Sequence, residues 1–466
     1  MCPITRVKIS SKPLMKRSII VLLFTISFAA ALELGSLSST ACNRTGVDVM
    51  PDEKEVEQDA RLLQIPEGYR KNLHWDLVLD SVGKNGSLIT WRSGNPQYIS
   101  DQGKLLKLSP RGESKVKVVM TATIAAGTAK RTKTFNIEVA NEEPRFDGYL
   151  FAYFEGSGPG EKQEQLRFAA SADGIHWQAL NNNEPIIHSG QISETGGIRD
   201  PHILRGEDGK TFYIVATDMF TVKNGWDTNP GIVMLKSKNL TDWSSHGYID
   251  LAKTYPDKFA NVKWVWAPQT IYDPAAGKYL VYFTVRYKDN PSLDFYCAYA
   301  NKSFTGFEAE PRLMFKPQYG AIDGDIIYKD GLYHFFYKGN TKNEEGREIQ
   351  NGIQQAVGKT LEGPWAETFK YVDAYSERHV PVEGSGIFKL NNSNTYILMY
   401  DMYTSHRYEF QRSDDLFKFS NTPESFTKNF NPRHGTVMSI TAEEAVRLNH
   451  KWGGVPSQLL NDTAKK

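Results

Sequence analysis

A strand of aromatic and aliphatic residues recurs five times downstream of residue 146: Gly148–Tyr153 (GYLFAY), Gly209–Ala216 (GKTFYIVA), Gly277–Phe283 (GKYLVYF), Gly331–Tyr337 (GLYHFFY) and Asn394–Tyr400 (NTYILMY). The starts lie about 60 residues apart, a period typical of repeat architectures, in which each unit buries its apolar faces only against its neighbours. A turn that leads into an aromatic residue follows each strand, ending at Trp177, Trp243, Phe307, Trp365 and Phe419. Five copies of a unit holding several short strands predict an all-β fold, a five-bladed β-propeller over 146–440. Helix is expected clearly only near Ala442–Leu448, capped by Thr441, within a C-terminal helix and tail at 441–466.

A third recurring piece precedes four of the strands: Arg199–Leu204 (RDPHIL), Trp266–Ile271 (WAPQTI), Ile322–Ile327 (IDGDII) and Val382–Ile387 (VEGSGI). A fifth, Arg433–Met438 (RHGTVM), has no aromatic strand behind it, while the strand at Gly148 has no such head before it. Pairing these two orphans would close the ring and remove its exposed edges. Set in register, the second position of the heads reads Asp200, Ala267, Asp323, Glu383 and His434. Equivalent positions of a propeller converge on its central channel, so three acids and a histidine are expected at one mouth. Packing three carboxylates together is costly and raises at least one pKa, which a purely structural role explains poorly. The chemistry this suits is glycoside hydrolysis, which uses one protonated acid at the leaving oxygen and one ionised carboxylate across the sugar. A third carboxylate can keep the acid protonated through its own charge. If base and acid stand about 6.5–9.5 Å apart, a water fits beside the sugar and the anomeric centre inverts.

These heads resemble glycoside hydrolase family 43: Asp200 in Arg-Asp-Pro, Asp323 in Ala-Ile-Asp-Gly-Asp and Glu383 in Val-Glu-Gly are similar to its three signature carboxylates. The resemblance spans about 146–440 and implies a five-bladed propeller that inverts. It implies Asp200 as general base, Glu383 as general acid and Asp323 as the residue that tunes and orients the acid. No cofactor is required for that chemistry. His434 matches a histidine that in many members lies near a water-coordinated calcium. Arg199 and Trp266 flank the heads and are candidate substrate contacts, with an ion pair and core packing as their plainer readings. Asp218 and Arg407 are weaker candidates at the mouth. Gly324-Asp325 after Asp323 and Ser385-Gly386 after Glu383 depart from the commoner arabinanase and xylosidase patterns and leave the sugar open. Removal of terminal α-L-arabinofuranosyl residues from plant-type polysaccharide side chains leads. A β-xylosidase, an exo-β-galactanase and a non-catalytic surface glycan-binding lipoprotein are the alternatives.

Upstream, Trp75–Leu79, Ser87–Arg92, Lys115–Thr123 and Thr132–Val139 are rich in β-formers and separated by Gly-bearing turns, a pattern expected of a small β-sandwich over 66–141. This stretch resembles the bacterial immunoglobulin-like modules of secreted carbohydrate enzymes and is expected to act as spacer or docking unit. Residues 43–65 are polar and read as a tether. Before them, Lys16-Arg17 and the apolar run Ser18–Ala31 read as a secretion signal within 1–42. Cys42 follows Ser39-Thr40-Ala41, a small-residue stretch like that before an acylated lipoprotein cysteine, so a lipid anchor there is one reading and simple cleavage nearby the other. Either way the expected location is bacterial and outside the cytoplasm: secreted, periplasmic or anchored to the envelope.

Composition narrows the partner. Lys and Arg total 55 against 54 Asp and Glu, a formal net charge of +1, so no global field attracts nucleic acid. A neutral oligosaccharide or polysaccharide fits better, and the 12% aromatic content suits surfaces on which sugar rings stack. The three cysteines have no zinc spacing, and Cys297 is expected to be a buried, inert thiol.

Overall fold

The computed structural model describes residues 52–461 apart from 66, 74–75, 111–112, 143–144, 157–159, 343–347 and 376–379. The leader 1–42, with Cys42, lies outside the described residues.

Five four-stranded antiparallel sheets follow the repeat. Their inner strands are Ile198–Arg205, Val262–Asp273, Ala321–Lys329, Glu383–Lys389 and Thr436–Ile440, which define blades 1 to 5. The recurring aromatic segment is the second strand of each blade. In three blades that strand, Gly148–Tyr153, Phe212–Asp218 or Tyr396–Met402, is buried at every residue, because both sheet faces are covered by neighbouring blades. That double burial explains why these segments read as unbroken apolar runs instead of alternating ones.

The ring closes as the orphan head and strand required. Thr436–Ile440 pairs antiparallel with Gly148–Tyr153, from Thr436 opposite Ala152 to Ile440 opposite Gly148. Five separate apolar cores fill the five inter-blade gaps. Blades 1 and 2 meet through Val215 and Val281, blades 2 and 3 through Phe295 and Phe335. Blades 3 and 4 meet through Phe336 and Leu398, blades 4 and 5 through Ile397 and Phe151, and blades 5 and 1 through Leu150 and Ile214. An open stack of five sheets would have only four such gaps. The last core also takes Ala445, Leu448, Val455 and Leu459, so the expected tail packs on the propeller. Its helix, Ala442–Trp452, starts in a capping box: the Thr441 hydroxyl accepts from the Glu444 N–H while the Glu444 carboxylate accepts from the Thr441 N–H.

The small upstream domain departs from the expectation in its strand content and in where it begins. Its named strands, Leu88–Ser93, Lys117–Ala126 and Ala129–Glu138, form one three-stranded sheet, and residues 76–79 are not in a strand. The layer opposite is built largely by a helix, Asp52–Leu62, in the segment read as a tether. Val56, Leu63 and Ile65 enter the same core as Ile89, Met120, Ile124 and Phe135. The buried Asp59 carboxylate accepts N–H bonds from Asn85 and Ser87, which fastens the helix to the sheet. A helix dominated by charged residues with so narrow an apolar stripe carries almost no hydrophobic signal in sequence.

Candidate active site

Each of the first four inner strands carries a bulge at its head, and the bulge aims the site residues. Pairing with the second strand skips from Arg199–Thr217 to His202–Val215, from Trp266–Thr284 to Gln269–Tyr282, from Ile322–Lys338 to Asp325–Phe336, and from Glu383–Asp401 to Gly386–Met399. The residue after the first of each skip is left-handed: Asp200 (φ 51°), Ala267 (46°), Asp323 (56°) and Gly384 (65°). This corrects the sequence register in blade 4. Glu383 is the equivalent of Arg199, Trp266 and Ile322, and Gly384 is the equivalent of the two aspartates. The Asp-Gly and Glu-Gly dipeptides look alike in sequence but sit one residue apart on their strands.

Asp200, Asp323, Glu383, His434, Arg199 and Trp266 nevertheless line one cavity, together with Phe154, Met219, Trp226, Ile322, Asp401 and Arg433. His434 forms the floor, its Nδ1 3.3 Å from an Asp200 oxygen and 3.7 Å from an Asp323 oxygen. The other Asp200 oxygen accepts from the Thr217 hydroxyl at 3.1 Å. The second Asp323 oxygen accepts the Gly384 N–H at 3.0 Å, and the Ser385 hydroxyl donates to the Asp323 carbonyl. Asp323 therefore grips the peptide that follows Glu383. At the rim, Arg433 bridges Glu383 at 3.2 Å and the buried Asp401 at 2.5 Å.

The carboxyls are driven apart in acidity. Burial raises every one of them, but for Asp200 the His434 bond and charge, the Arg199 charge and the Thr217 hydroxyl outweigh burial and bring it below its ordinary value. For Glu383 burial is reinforced by the charges of Asp323 and Asp401, and the carboxyl is pushed up to about 7. Asp323 is raised by burial, with the Asp200 charge adding to it. Burial disfavours charge on His434, yet Asp323 and Asp200 reverse this and lift the imidazole to about 9. Below about pH 7 one ionised and one protonated carboxyl thus face a single cavity.

The buried His434 turns its Nδ1 to two carboxylates, while its Nε2 has no hydrogen-bond partner among the described residues. Among the described residues no three His, Cys, Asp or Glu side chains could hold a metal ion.

Arg199 and Trp266 reach the cavity from fixed positions. The Arg199 guanidinium binds Glu164 at 2.7 Å and lies between the rings of Phe154 and Trp226 at 4.6 and 5.0 Å. Trp266 donates to Asn229 at 2.8 Å and stacks on Trp264, ring centres 4.1 Å apart. Asp218 is outside the cavity, where it accepts the Glu194 and Thr195 N–H groups, and Arg407 pairs with Glu409. Thr217, its neighbour on the opposite face of the strand, holds Asp200. Sequence reasoning missed Thr217 and Asp401, yet both leave a signal, a polar residue near the end of an apolar second strand directly opposite a head. Cys297 is buried and unpaired, and burial pushes its thiol up to about 11.

A family model described as "Probable glycosyl hydrolase domain", related to glycoside hydrolase family 43, matches residues 144–446. The chain belongs to this family. An "Atrophied bacterial Ig domain" model matches residues 56–142, the helix-backed sheet. Among curated proteins, an α-L-arabinofuranosidase of Bifidobacterium longum subsp. longum is 25% identical over 363 residues, 67% of this chain and 33% of that protein. The chain therefore spans about a third of that relative's length. Among solved structures, a family-43 protein from Bacillus licheniformis matches at TM-score 0.42 and 17% identity, covering 63% of this chain and 55% of that one. An endo-arabinase from Bacteroides thetaiotaomicron matches at TM-score 0.40 and 15% identity, covering 64% and 94%.

Proposed function

We propose that this protein is an inverting glycoside hydrolase that removes terminal sugars, α-L-arabinofuranosyl residues foremost, from the side chains of plant-type polysaccharides. The observation that carries the reading is the opposite displacement of two carboxyls lining one cavity: Asp200 lowered and Glu383 raised to about 7. Glu383, protonated at the rim, donates its proton to the glycosidic oxygen as the bond to the anomeric carbon breaks. Asp200, ionised on the floor, takes a proton from the water that attacks that carbon from the opposite face. Blades 1 and 4 are not neighbours in the ring, which favours a gap wide enough for this water. Asp323 orients the acid through the Gly384 N–H and raises its pKa by charge. Solvent then reprotonates Glu383 and removes the proton from Asp200. The Bifidobacterium arabinofuranosidase supports the choice of sugar, and the apolar run Ser18–Ala31 supports export, where polysaccharide is met.

The test is release of sugar from aryl α-L-arabinofuranoside, β-xyloside and β-galactoside, with the first-formed anomer followed by NMR. Arabinose released first as the β-anomer is expected. Release of xylose or galactose instead reassigns the sugar, and oligosaccharide binding without any turnover makes the protein a glycan-binding module.

A further inference from the structure

Of the residues lining the cavity, Trp226 alone is mostly exposed, with 58% of its surface open. Among the described residues it is also the only tryptophan that is largely exposed. A single exposed apolar side chain is ordinary on a protein surface, but this ring borders the cavity and is held in place. The Glu164 carboxylate accepts both the Thr221 N–H, at 2.7 Å, and the Thr221 hydroxyl, at 2.5 Å, anchoring the start of the loop. Gly225, left-handed at φ 66°, turns the chain back so that Trp226 returns over the cavity. There the Arg199 guanidinium lies against the ring at 5.0 Å, and the Trp266 ring meets it edge-on, centres 6.1 Å apart and planes at 74°. The same loop holds Trp266 through Asn229. The result is a two-step aromatic wall, with Trp266 half-buried inside and Trp226 open outside.

We infer that Trp226 is the platform of an aglycone-side subsite, stacking on the pyranose ring of the chain from which the terminal sugar is removed. This rests on the proposed hydrolase reading. Asp200, Asp323 and His434 close the cavity below, so whatever remains attached to the bound sugar must leave past the rim. Glu383 stands at that rim, one strand position above the aspartates, where the leaving oxygen needs its proton. The ring of the next sugar then meets the widest free apolar surface there, the indole of Trp226. A flat ring with apolar C–H faces and polar edges suits an indole already pinned by a cation. Trp226 thereby selects a sugar attached to another sugar over the same sugar carrying a small alkyl group.

Wild-type protein, Trp226→Ala and Trp226→Phe are compared on the methyl glycoside of the released sugar and on an oligosaccharide bearing that sugar on a pyranose chain. The ratio of kcat/KM, oligosaccharide over methyl glycoside, should fall about tenfold in Trp226→Ala, chiefly through KM, the scale of one lost aromatic contact. Trp226→Phe should keep most of it. An equal loss on both substrates, or an unchanged ratio, overturns the inference. Failure of hydrolysis altogether would belong to the proposed function and not to Trp226. The oligosaccharide is therefore also titrated calorimetrically into the Glu383→Gln protein with and without Trp226→Ala. Binding about tenfold weaker without the indole supports the platform, and an unchanged Kd overturns it.

Discussion

Two carboxyls of nearly equal intrinsic acidity, Asp200 and Glu383, end up as an ionised and a protonated group because of what stands beside each. Asp200 has the His434 imidazolium, the Arg199 guanidinium and a hydroxyl, whereas for Glu383 burial and the charges of Asp323 and Asp401 outweigh those of Lys338 and Arg433. Glu383→Gln should lower kcat by about 10²–10⁴-fold on substrates with poor leaving groups, the usual worth of a general acid. Full activity in that variant would remove Glu383 from the role. For pH, the proposed mechanism needs Asp200 charged and Glu383 neutral. The rate should stay level above the lowered Asp200 value and fall as pH rises through about 7, where Glu383 loses its proton. Arg433 holds the Glu383 value down, so Arg433→Met should carry the alkaline limb of kcat/KM to higher pH. A limb left in place would show that another group titrates there.

At the scale of elements, the inner strands do the positioning, and their bulges were invisible in sequence. Asp-Gly in blade 3 and Glu-Gly in blade 4 align by eye, yet hydrogen bonding seats Glu383 opposite Asp401, one position nearer the rim. Only a pairing partner fixes such a register, since a slip of one residue reverses which face each side chain takes. Blade 5 depends on close backbone approach. A Cβ at Gly435 would sit 2.1 Å from the Ala152 carbonyl oxygen. Gly435→Val should therefore destabilise the protein by about 3 kcal/mol or more, seen as a lower Tm by circular dichroism. At the helix that covers the gap between blades 5 and 1, Thr441→Ala should cost about 1 kcal/mol, the worth of an N-cap, without altering kcat. By contrast, the helix Asp52–Leu62 was read as a tether because its stabilising partners, the sheet core and the Asn85 and Ser87 amides, are distant in sequence.

For the whole molecule, closure is the decisive property: strands from both ends of the repeat form one sheet, so the fifth blade is incomplete and the ring open until the last residues arrive. A chain ending at Pro432 should expose the edge of Gly148–Tyr153, lose the single cooperative thermal transition and aggregate. A soluble, cooperatively melting product would mean that four blades and an incomplete fifth suffice. The architecture was legible because repetition is a property of sequence: five apolar runs, five heads and two orphans imply a closed ring before any contact is known. Residue types were legible for the same reason, three acids and a histidine recurring at one place in the repeat. What sequence could not hold is geometry that depends on partners: the bulge that lifts Glu383 above the aspartates, the His434 floor that separates two acidities, and the loop that returns Trp226 to the rim. Each of these arises from groups far apart along the chain whose energies exist only once the blades have packed.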